Sequence, residues 1–433
     1  MKNPKIMMFL RLAAGCCIAL VLIISSGRVQ HATAAVPVDV GTAGGIHSVQ
    51  HSIFGQYVVT LRYVDATQVS AVAARLAHEH GGTVFQVYSH ALTGFAVRID
   101  APHAMALSHD PLVAMVEEDG EMHAIAIVTQ SGASWGLDRI NERQLNINGF
   151  YSWSDRNDGA GVTAYILDTG INISHQEFGG LGGRASWGTN TVDTITADEN
   201  GHGTHVAGIV GGTKYGVAKE VKLVAVKVLN KQGSGTTAGV IKGIDWVTAN
   251  HVKPSVVNMS LGGGFSATMN EAIEKSINSG VKYVIAAGND NKDACSVSPA
   301  SAPRALTVAA SDNADRKATF SNWGHCVDLF APGVSITAAW IGSTSATNTI
   351  SGTSMAAPFV TGVVAQFLEG DPSASEATVA NALTSKATHG ILSQVPIDTP
   401  NLLLYNYPGT YFPAAVRRGA RRQSAFLLVD TSR

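Results

Sequence analysis

The stretch that decides both the fold and the chemistry is residues 351–358, which read SGTSMAAP. A glycine turn leads here into an apolar helical pattern, so the hydroxyl of Ser354 is predicted at the start of a helix. Two earlier stretches repeat this design with other reactive groups. Residues 166–170, ILDTG, end an apolar strand on an aspartate, and residues 201–205, GHGTH, open a helix on a histidine.

Asp168, His202 and Ser354 together supply the groups that hydrolysis of an amide needs. These are a nucleophile, a base that takes its proton, and an anion that orients the base. Each residue alone is more often a turn former or a helix cap. All three in this chain order, each at the junction of two elements, favour catalysis over three separate caps.

Apolar strands alternate with helical patterns from Trp135 onwards. Strands are predicted at 162–167, 223–229, 256–260, 283–287 and 306–309, and helices begin near residues 203, 238 and 269. Near-continuous apolar strands separated by helices indicate an α/β fold, a mostly parallel sheet with helices on both faces. Sites form at the carboxyl edge of such sheets, which is where Asp168 is predicted to lie.

A smaller unit with its own pattern precedes this domain, at about residues 54–126. Its predicted elements are a strand at 57–61, a helix capped by Asp65 with Gln68 in the capping-box position, strands at 83–88 and 95–99, a helix near Met105, and a strand at 112–117. The order β-α-β-β-α-β predicts a small α+β domain of ferredoxin-like arrangement. Nothing in this unit has the pattern of a catalytic site.

Composition and the two ends of the chain narrow the function. Of 433 residues, 45% are hydrophobic and 14% charged, and the net charge is −2, which excludes a disordered chain and argues against nucleic acid as a partner. A basic start, a short apolar run and Ala32-Thr33-Ala34 predict a signal peptide over residues 1–35. We therefore expect a secreted protein with no membrane span after its removal, ending in a flexible basic tail at 408–433.

Residues 135–407 resemble the subtilisin-like serine proteases (subtilases), specifically the proteinase K branch near aqualysin. Besides the three stretches above, the resemblance rests on WGLDRI at 135–140, VNMSLGGG at 257–264, AAGNDN at 286–291 and CVDLFAPG at 326–333. The unit at 54–126 resembles the family's inhibitory propeptide. The resemblance implies a propeptide at 36–127 and a catalytic domain at 128–407, with cleavage between about residues 124 and 130.

The resemblance also implies a role for each reactive residue. Ser354 matches the nucleophile, His202 the general base, and Asp168 the group that orients the imidazole. Asn289 matches the side chain that donates to the oxyanion, together with the backbone N–H of Ser354. His205 matches a structural position.

The same resemblance describes a substrate cleft. Two segments match those that pair with an extended peptide, and a third matches the lining of a roomy apolar S1 pocket: Gly233-Ser234-Gly235, Ser260-Leu261-Gly262 and Ala286-Ala287-Gly288. It implies a broad endopeptidase that prefers apolar or aromatic P1 residues. Its implied partners are peptide or protein substrates and its own propeptide, an intramolecular inhibitor, and we expect a monomer.

Structural calcium is the cofactor that the resemblance implies. Asp328 with the carbonyl oxygens of Pro303 and Ala305 matches one site of hard oxygen ligands. The alternative for Asp328 is an ordinary carboxylate at a strand end. Asp138, Asn141 and Glu142 resemble a second calcium site of the family, near the mature N-terminus. A third site is expected to be missing, because Ile391 stands at its aspartate position.

Cys295 and Cys326 are the cysteines that remain once Cys16 and Cys17 leave with the signal peptide. Two cysteines in an oxidising compartment favour one disulfide over two separate buried thiols, and the resemblance implies this pairing. A second disulfide of such relatives is absent. Its positions hold Glu199 and Lys231, where an exposed ion pair would contribute little.

Three alternative functions have less support in the sequence. Residues 180–185, GLGGRA, fit a dinucleotide-binding fingerprint but do not directly follow a strand. Ser354 lacks the G-x-S-x-G elbow of lipases, because Ala356 stands where glycine is needed. The third alternative is a catalytically silent relative that binds peptides or inhibitors, and the intact reactive residues argue against it.

Overall fold

The computed structural model describes residues 44–49, 52–121, 126–406 and 408. The predicted signal peptide, and the predicted tail beyond residue 408, lie outside the described residues. The chain divides into two compact units between residues 123 and 124. Within the described ranges, no helix combines the length and the apolar character that crossing a membrane requires.

The N-terminal unit is a five-stranded sheet with two helices. Its elements are β1 (Ile46–His47), β2 (Ser52–Leu61), α1 (Val69–Glu79), β3 (Thr83–Tyr88), β4 (Gly94–Arg98), α2 (Ala101–Leu107) and β5 (Val113–Gly120). The sheet order is β1-β5-β2-β4-β3, antiparallel except for the β1–β5 pair. The four longer strands have the ferredoxin-like order, so the predicted arrangement is confirmed, and β1 adds an edge strand.

The start of α1 differs from the prediction. The helix begins at Val69, and its N-cap Gln68 makes no side-chain cap hydrogen bond. Asp65 instead belongs to a turn before the helix, where its carbonyl oxygen accepts from the Gln68 backbone N–H. Asp100 does cap α2, because its carboxylate accepts from the backbone N–H of His103 at 3.0 Å.

The C-terminal unit contains six helices and fifteen strands within the described residues. They are β6 (Ile127–Ser131), α3 (Trp135–Asn141), β7 (Phe150–Ser154), β8 (Thr163–Asp168), β9 (Ala185–Asn190), α4 (His202–Gly211), β10 (Lys222–Lys227), α5 (Thr237–Asn250), β11 (Ser255–Met259), β12 (Gly263–Gly264), α6 (Ala267–Asn278), β13 (Lys282–Ala286), β14 (Val297–Ser298), β15 (Leu306–Ser311), β16 (Leu329–Pro332), β17 (Ile336–Ala339), β18 (Thr347–Ile350), α7 (Thr353–Gly370), α8 (Glu376–Lys386), β19 (Thr388–His389) and β20 (Leu402–Leu403).

A nine-stranded sheet forms the centre of this unit, in the order β19-β20-β16-β15-β13-β11-β8-β10-β9. Every neighbouring pair from β20 to β9 is parallel, and β19 pairs antiparallel with β20. Successive strand residues face opposite sides, so Ile166 packs with α4 and α7 while Leu167 packs with α5 and α6. The predicted parallel-rich α/β sheet with helices on both faces is confirmed.

Candidate active site

Asp168 and His202 meet at the carboxyl edge of this sheet. Asp168 is the last residue of β8, and His202 is the first residue of α4. The imidazole Nδ1 lies 2.8 Å from Oδ1 and 3.0 Å from Oδ2 of the aspartate. The Asp168 side chain is fully buried and the His202 side chain is 24% exposed, so one ring edge remains open to the cleft.

Glycine at position 203 permits this contact. A Cβ atom there would lie 2.2 Å from the carbonyl oxygen of Gly170 and 3.1 Å from the Cβ of Asp168. Real Cβ atoms do not approach a backbone oxygen so closely. The absence of a side chain at Gly203 is therefore what allows α4 to reach the end of β8.

Asp198 holds the loop between these two elements. One carboxylate oxygen accepts from the hydroxyl of Thr169, at 2.8 Å, and from two backbone N–H groups, those of Asn200 and Gly201. The other oxygen accepts from the backbone N–H and the hydroxyl of Thr204, at 3.0 and 2.6 Å. A single buried carboxylate thus joins the end of β8 to the first turn of α4.

The pKa of His202 is raised above its usual value of 6.5. Burial acts in the opposite direction and lowers it, but the charge of Asp168, its hydrogen bond and the charge of Asp198 together outweigh burial. His205, three residues along α4, has its pKa lowered by burial to about 4. Its Nε2 contacts the carbonyl oxygens of Ile336 and Asn348, which suits the structural role that the resemblance implies.

Ser354 lies in the first turn of α7 and is linked to Ser260, just after β11. Its hydroxyl donates to the Ser260 carbonyl oxygen at 3.2 Å, and the Ser260 hydroxyl donates to the Ser354 carbonyl oxygen at 2.8 Å. The Ser354 carbonyl oxygen has no helical N–H partner, because the residue four positions later is Pro358, which has no N–H to donate. Within the described residues, Ser354 Oγ makes no hydrogen bond to His202, and such bonds are often loose without substrate.

Asn289 and the start of α7 form a pair of donors beside Ser354. The Asn289 Oδ1 accepts from the backbone N–H and the hydroxyl of Thr353, at 2.8 and 2.9 Å, which fixes Nδ2 as the free donor. A Cβ at Gly352 would lie 3.5 Å from this Nδ2 and 3.6 Å from the Ser354 backbone nitrogen. Both donors therefore border one small space that glycine leaves open, as an oxyanion site requires.

Two pockets adjoin these groups. One, of about 480 Å³, is bordered by His202, by all of Gly233–Gly235 and Ser260–Gly262, and by apolar Leu229, Val240 and Met269. The other, of about 420 Å³, is bordered by Ala286, Gly288, Asn289 and Ser354. The cleft segments singled out in the sequence thus lie beside the reactive residues.

Two details of the second pocket differ from the sequence-based expectation of an apolar lining. Ala287 does not line it, because its side chain is fully buried in the core that contains α5 and α6. Asp290 and Lys292 do line it, and their charged groups form an ion pair at 3.0 Å. The pocket therefore combines an apolar wall with a charged rim.

Asp328 has the character expected of a cation ligand. Its Oδ2 accepts from the backbone N–H of Thr307 at 2.7 Å. Burial raises its pKa to about 6, and among the described residues no cationic side chain forms an ion pair with it. A calcium ion would supply the missing positive charge, so the residue fits the implied site shared with the Pro303 and Ala305 carbonyl oxygens.

Asp138 also suits a cation, whereas the amide nitrogen of Asn141 binds two backbone carbonyl oxygens. The carboxylate of Asp138 is buried and one oxygen accepts from the Gly149 N–H, whereas the other has no hydrogen-bond partner among the described residues. With its amide nitrogen placed as donor, Asn141 donates to the carbonyl oxygens of Ser152 and Asn406 at 3.1 and 3.0 Å. Glu142 accepts from the Asn148 amide at 2.8 Å. Ile391 packs against the hydrophobic core.

Cys295 and Cys326 form the expected disulfide, with their Cα atoms 5.4 Å apart. At the positions of the absent second disulfide, Glu199 does not pair with Lys231. Its carboxylate lies 4.0 Å from the buried ammonium of Lys227, and the Lys231 carbonyl oxygen accepts from Asn200. Lys227 attracts Glu199 because its ammonium is buried and donates to just one other atom that the structure shows, the Thr169 carbonyl oxygen.

The site also contains three residues that were not predicted from the sequence, Asp198, Thr353 and Asn258. The Asn258 amide donates to the Ser260 hydroxyl at 2.8 Å and thereby supports the Ser260–Ser354 link. The run Asp198-Glu199-Asn200-Gly201 is a turn-forming signal and could have identified Asp198 as a loop anchor. Asn258 and Thr353 lie within the quoted stretches 257–264 and 351–358, but no local pattern there predicts the hydrogen bonds that they make.

Comparisons with known proteins agree with this geometry. Residues 159–406 match the model of the Subtilase family, and residues 56–124 match Peptidase inhibitor I9. The chain is 51% identical over 337 residues to the extracellular serine proteinase of Thermus sp. (strain Rt41A), covering 78% of this chain and 81% of that protein. It is 44% identical over 335 residues to the cuticle-degrading serine protease of Arthrobotrys oligospora, covering 76% and 81%.

A solved structure is similar as well. The crystal structure of a cold adapted subtilisin-like serine proteinase matches with a TM-score of 0.61 and 49% sequence identity, over 64% of this chain and 98% of that one. Both the family model and relatives of this identity cover most of the C-terminal unit. The chain therefore belongs to the subtilase family of serine endopeptidases and carries an I9 inhibitor domain ahead of its catalytic domain.

Proposed function

We propose that this subtilase is a secreted endopeptidase that cleaves peptide bonds through an acyl-enzyme formed on Ser354. The observation that carries the proposal is the Asp168–His202 hydrogen bond of 2.8 Å, with one edge of the imidazole open to the cleft. An aspartate that accepts from Nδ1 leaves Nε2 as the basic nitrogen, which is what activation of a serine requires.

The catalytic steps follow from these groups. On substrate binding, the Ser354 hydroxyl turns from the Ser260 carbonyl and attacks the scissile carbonyl carbon, while His202 Nε2 takes its proton. The oxyanion accepts hydrogen bonds from Asn289 Nδ2 and the Ser354 N–H. His202 then gives its proton to the leaving amine, and a water molecule, activated by the same nitrogen, hydrolyses the acyl-enzyme. Asp168 stabilises the imidazolium in both halves.

Substrate recognition uses the two pockets. An extended peptide between residues 233–235 and 260–262 would pair with the backbone on both sides, which is insensitive to side-chain identity. The apolar Leu229, Val240 and Met269 suit an apolar side chain in the first pocket. The apolar wall at Ala286 supports an apolar or aromatic P1 preference, tempered by the charged rim of the second pocket.

The I9 domain supports activation by removal of a propeptide that inhibits the enzyme in cis. β6, from Ile127 to Ser131, pairs with β7 over all five residues. Cleavage within the expected window of 124–130 should therefore fall before Ile127, because a later cut would remove part of a paired strand.

The proposal is tested by expressing the wild-type precursor and Ser354→Ala side by side and measuring intact mass and N-terminal sequence. We expect the wild type to lose its N-terminal segment and the variant to remain uncut. If folded wild-type protein stays uncut and does not react with a fluorophosphonate, the catalytically silent, peptide-binding alternative replaces the proposal. If both proteins are cut alike, self-processing is refuted, and fluorophosphonate labelling of Ser354 decides between enzyme and silent relative.

A further inference from the structure

Asn322, in the loop between β15 and β16, uses its whole side chain on one neighbouring segment. Its Oδ1 accepts from the backbone N–H groups of Asp290 and Lys292, at 3.0 and 3.1 Å. Its Nδ2 donates to the carbonyl oxygen of Ala287 at 2.8 Å, and its backbone N–H donates to the Gly288 carbonyl oxygen at 2.9 Å. Asn322 is fully buried, so water does not compete for these bonds.

These contacts enclose Asn289 from both sides. Asn322 binds both residues that precede Asn289 and two of the three that follow it. Among the hydrogen bonds that the structure describes, none joins Asn322 to Asn289 itself. Thr353 fixes the Asn289 amide group, as described above. Asn322 thus holds the backbone on either side of Asn289, whereas Thr353 orients the Asn289 amide group.

We propose that Asn322 is a positioning residue for transition-state stabilisation: it fixes the backbone of residues 287–292 so that the Asn289 amide points at the oxyanion. This inference rests on the proposed function, in which Asn289 is an oxyanion donor. Asn322 borders the second pocket, but its amide oxygen and nitrogen are both bound to the backbone of residues 287–292. It therefore acts through Asn289 and is not itself catalytic.

The chemistry of an asparagine side chain suits this position. One planar group must offer an oxygen with two lone pairs and a nitrogen donor at fixed spacing. Aspartate would place a second oxygen against the Ala287 carbonyl oxygen, and alanine would leave two buried N–H groups without an acceptor. Gly288 completes the fit, because a Cβ there would lie 2.4 Å from the Asn322 Nδ2.

Asn401 offers a matched control. Its side chain also fixes a loop through two backbone bonds, accepting from the Leu392 N–H at 3.1 Å and donating to the Leu392 carbonyl oxygen at 2.7 Å. Unlike Asn322, which borders the second pocket, Asn401 borders neither pocket of the active site. Asn401→Ala therefore removes the same kind of contact as Asn322→Ala, away from the oxyanion.

The experiment is steady-state kinetics on a peptide anilide, with inhibition by a peptide aldehyde, whose adduct carries an oxyanion. We expect Asn322→Ala to lower kcat about 10- to 100-fold, since a misplacement of ~1 Å has an effect of this order. KM should stay within about threefold, and the aldehyde inhibition constant should rise in parallel with the fall in kcat/KM. Asn401→Ala should change none of these values.

A double-mutant cycle separates this inference from the proposed function. In the Asn289→Ala background, Asn322→Ala should lower kcat by less than about threefold, because the donor that it positions is already missing. If the two factors multiply, or if KM alone rises, the positioning role is overturned while Asn289 remains a donor. If Asn289→Ala leaves kcat unchanged, the proposed role of Asn289 fails first.

Asn322→Asp covers the case in which Asn322→Ala does not fold. It has the same shape, keeps the acceptor for Asp290 and Lys292, and loses the donor to Ala287. It should also lower kcat, because an oxygen replaces the donor to the Ala287 carbonyl, and this loss should disappear in the Asn289→Ala background. A loss that persists there overturns the inference.

Discussion

A single methyl group at Gly203 should disconnect His202 from Asp168. The added Cβ would lie 2.2 Å from the Gly170 carbonyl oxygen, more than 1 Å inside ordinary van der Waals contact. Gly170 is buried two residues beyond the end of β8, and its backbone cannot move aside as a flexible side chain would, so the first turn of α4 must shift by about 1 Å. The 2.8 Å Asp168–His202 bond would not survive this shift, and kcat should fall about 100-fold.

The assay is kcat of mature Gly203→Ala against a peptide anilide, measured across pH. A protonated imidazole cannot act as the base, so wild-type activity should fall as pH drops through the raised pKa of His202, above 6.5. In Gly203→Ala, His202 loses its contact with Asp168, so burial dominates and lowers the pKa of the imidazole. The acid limb of its kcat–pH profile should therefore move to lower pH.

Gly208→Ala, in the same helix, is the control for this prediction. Its Cβ would meet the Ala339 nitrogen at 3.0 Å, which needs a few tenths of an ångström of adjustment, and it lies well beyond the turn that carries His202. It should keep wild-type kcat and the wild-type acid limb. If folded Gly203→Ala keeps kcat within threefold of wild type with an unchanged acid limb, Gly203 is not what allows the Asp168–His202 contact.

Three further predictions concern stability. Asp315→Asn removes the carboxylate that accepts two hydrogen bonds from the buried guanidinium of Arg139. In calorimetry of an inactive precursor, the unfolding temperature should fall by about 10 °C, and an unchanged temperature would contradict this. The Cys295–Cys326 disulfide joins residues that are 31 positions apart in sequence. Replacing both cysteines by serine should lower the free energy of unfolding in urea by about 3–4 kcal/mol, and a loss below 1 kcal/mol would contradict the loop-entropy argument. Chelating calcium should shorten the half-life of heated wild type more than that of Asp328→Asn; equal shortening would remove Asp328 as a ligand.

Much of the fold could be predicted because it follows from apolar periodicity. The strands of the parallel sheet are short apolar runs buried on both faces, and all six residues of β8 are buried. The reactive residues were recognisable because each stands where a strand or helix meets a glycine turn. The start of α1 was predicted wrongly because Asp65 and Gln68 form a capping-box pattern that the chain uses for a turn instead.

The residues that hold the site could not be predicted in the same way. Asn322 binds backbone atoms that lie 30 to 35 positions away in sequence, and Asp198 binds a hydroxyl 29 positions away. In a single sequence, an asparagine with such partners has the same local pattern as one exposed in a loop. Its function depends on which backbone groups the folded sheet brings beside it.

Glycine and buried polar side chains have complementary functions at this sheet edge. Gly203 and Gly288 allow the close approach that brings donors and bases together, but glycine also makes a turn entropically loose. Beside each stands a buried side chain that binds the neighbouring backbone, Asp198 at α4 and Asn322 at residues 287–292. Preorganised donors reduce the reorganisation needed during reaction, so replacing either anchor should act mainly on kcat. The glycines mark the site in the sequence, and the polar anchors make it rigid.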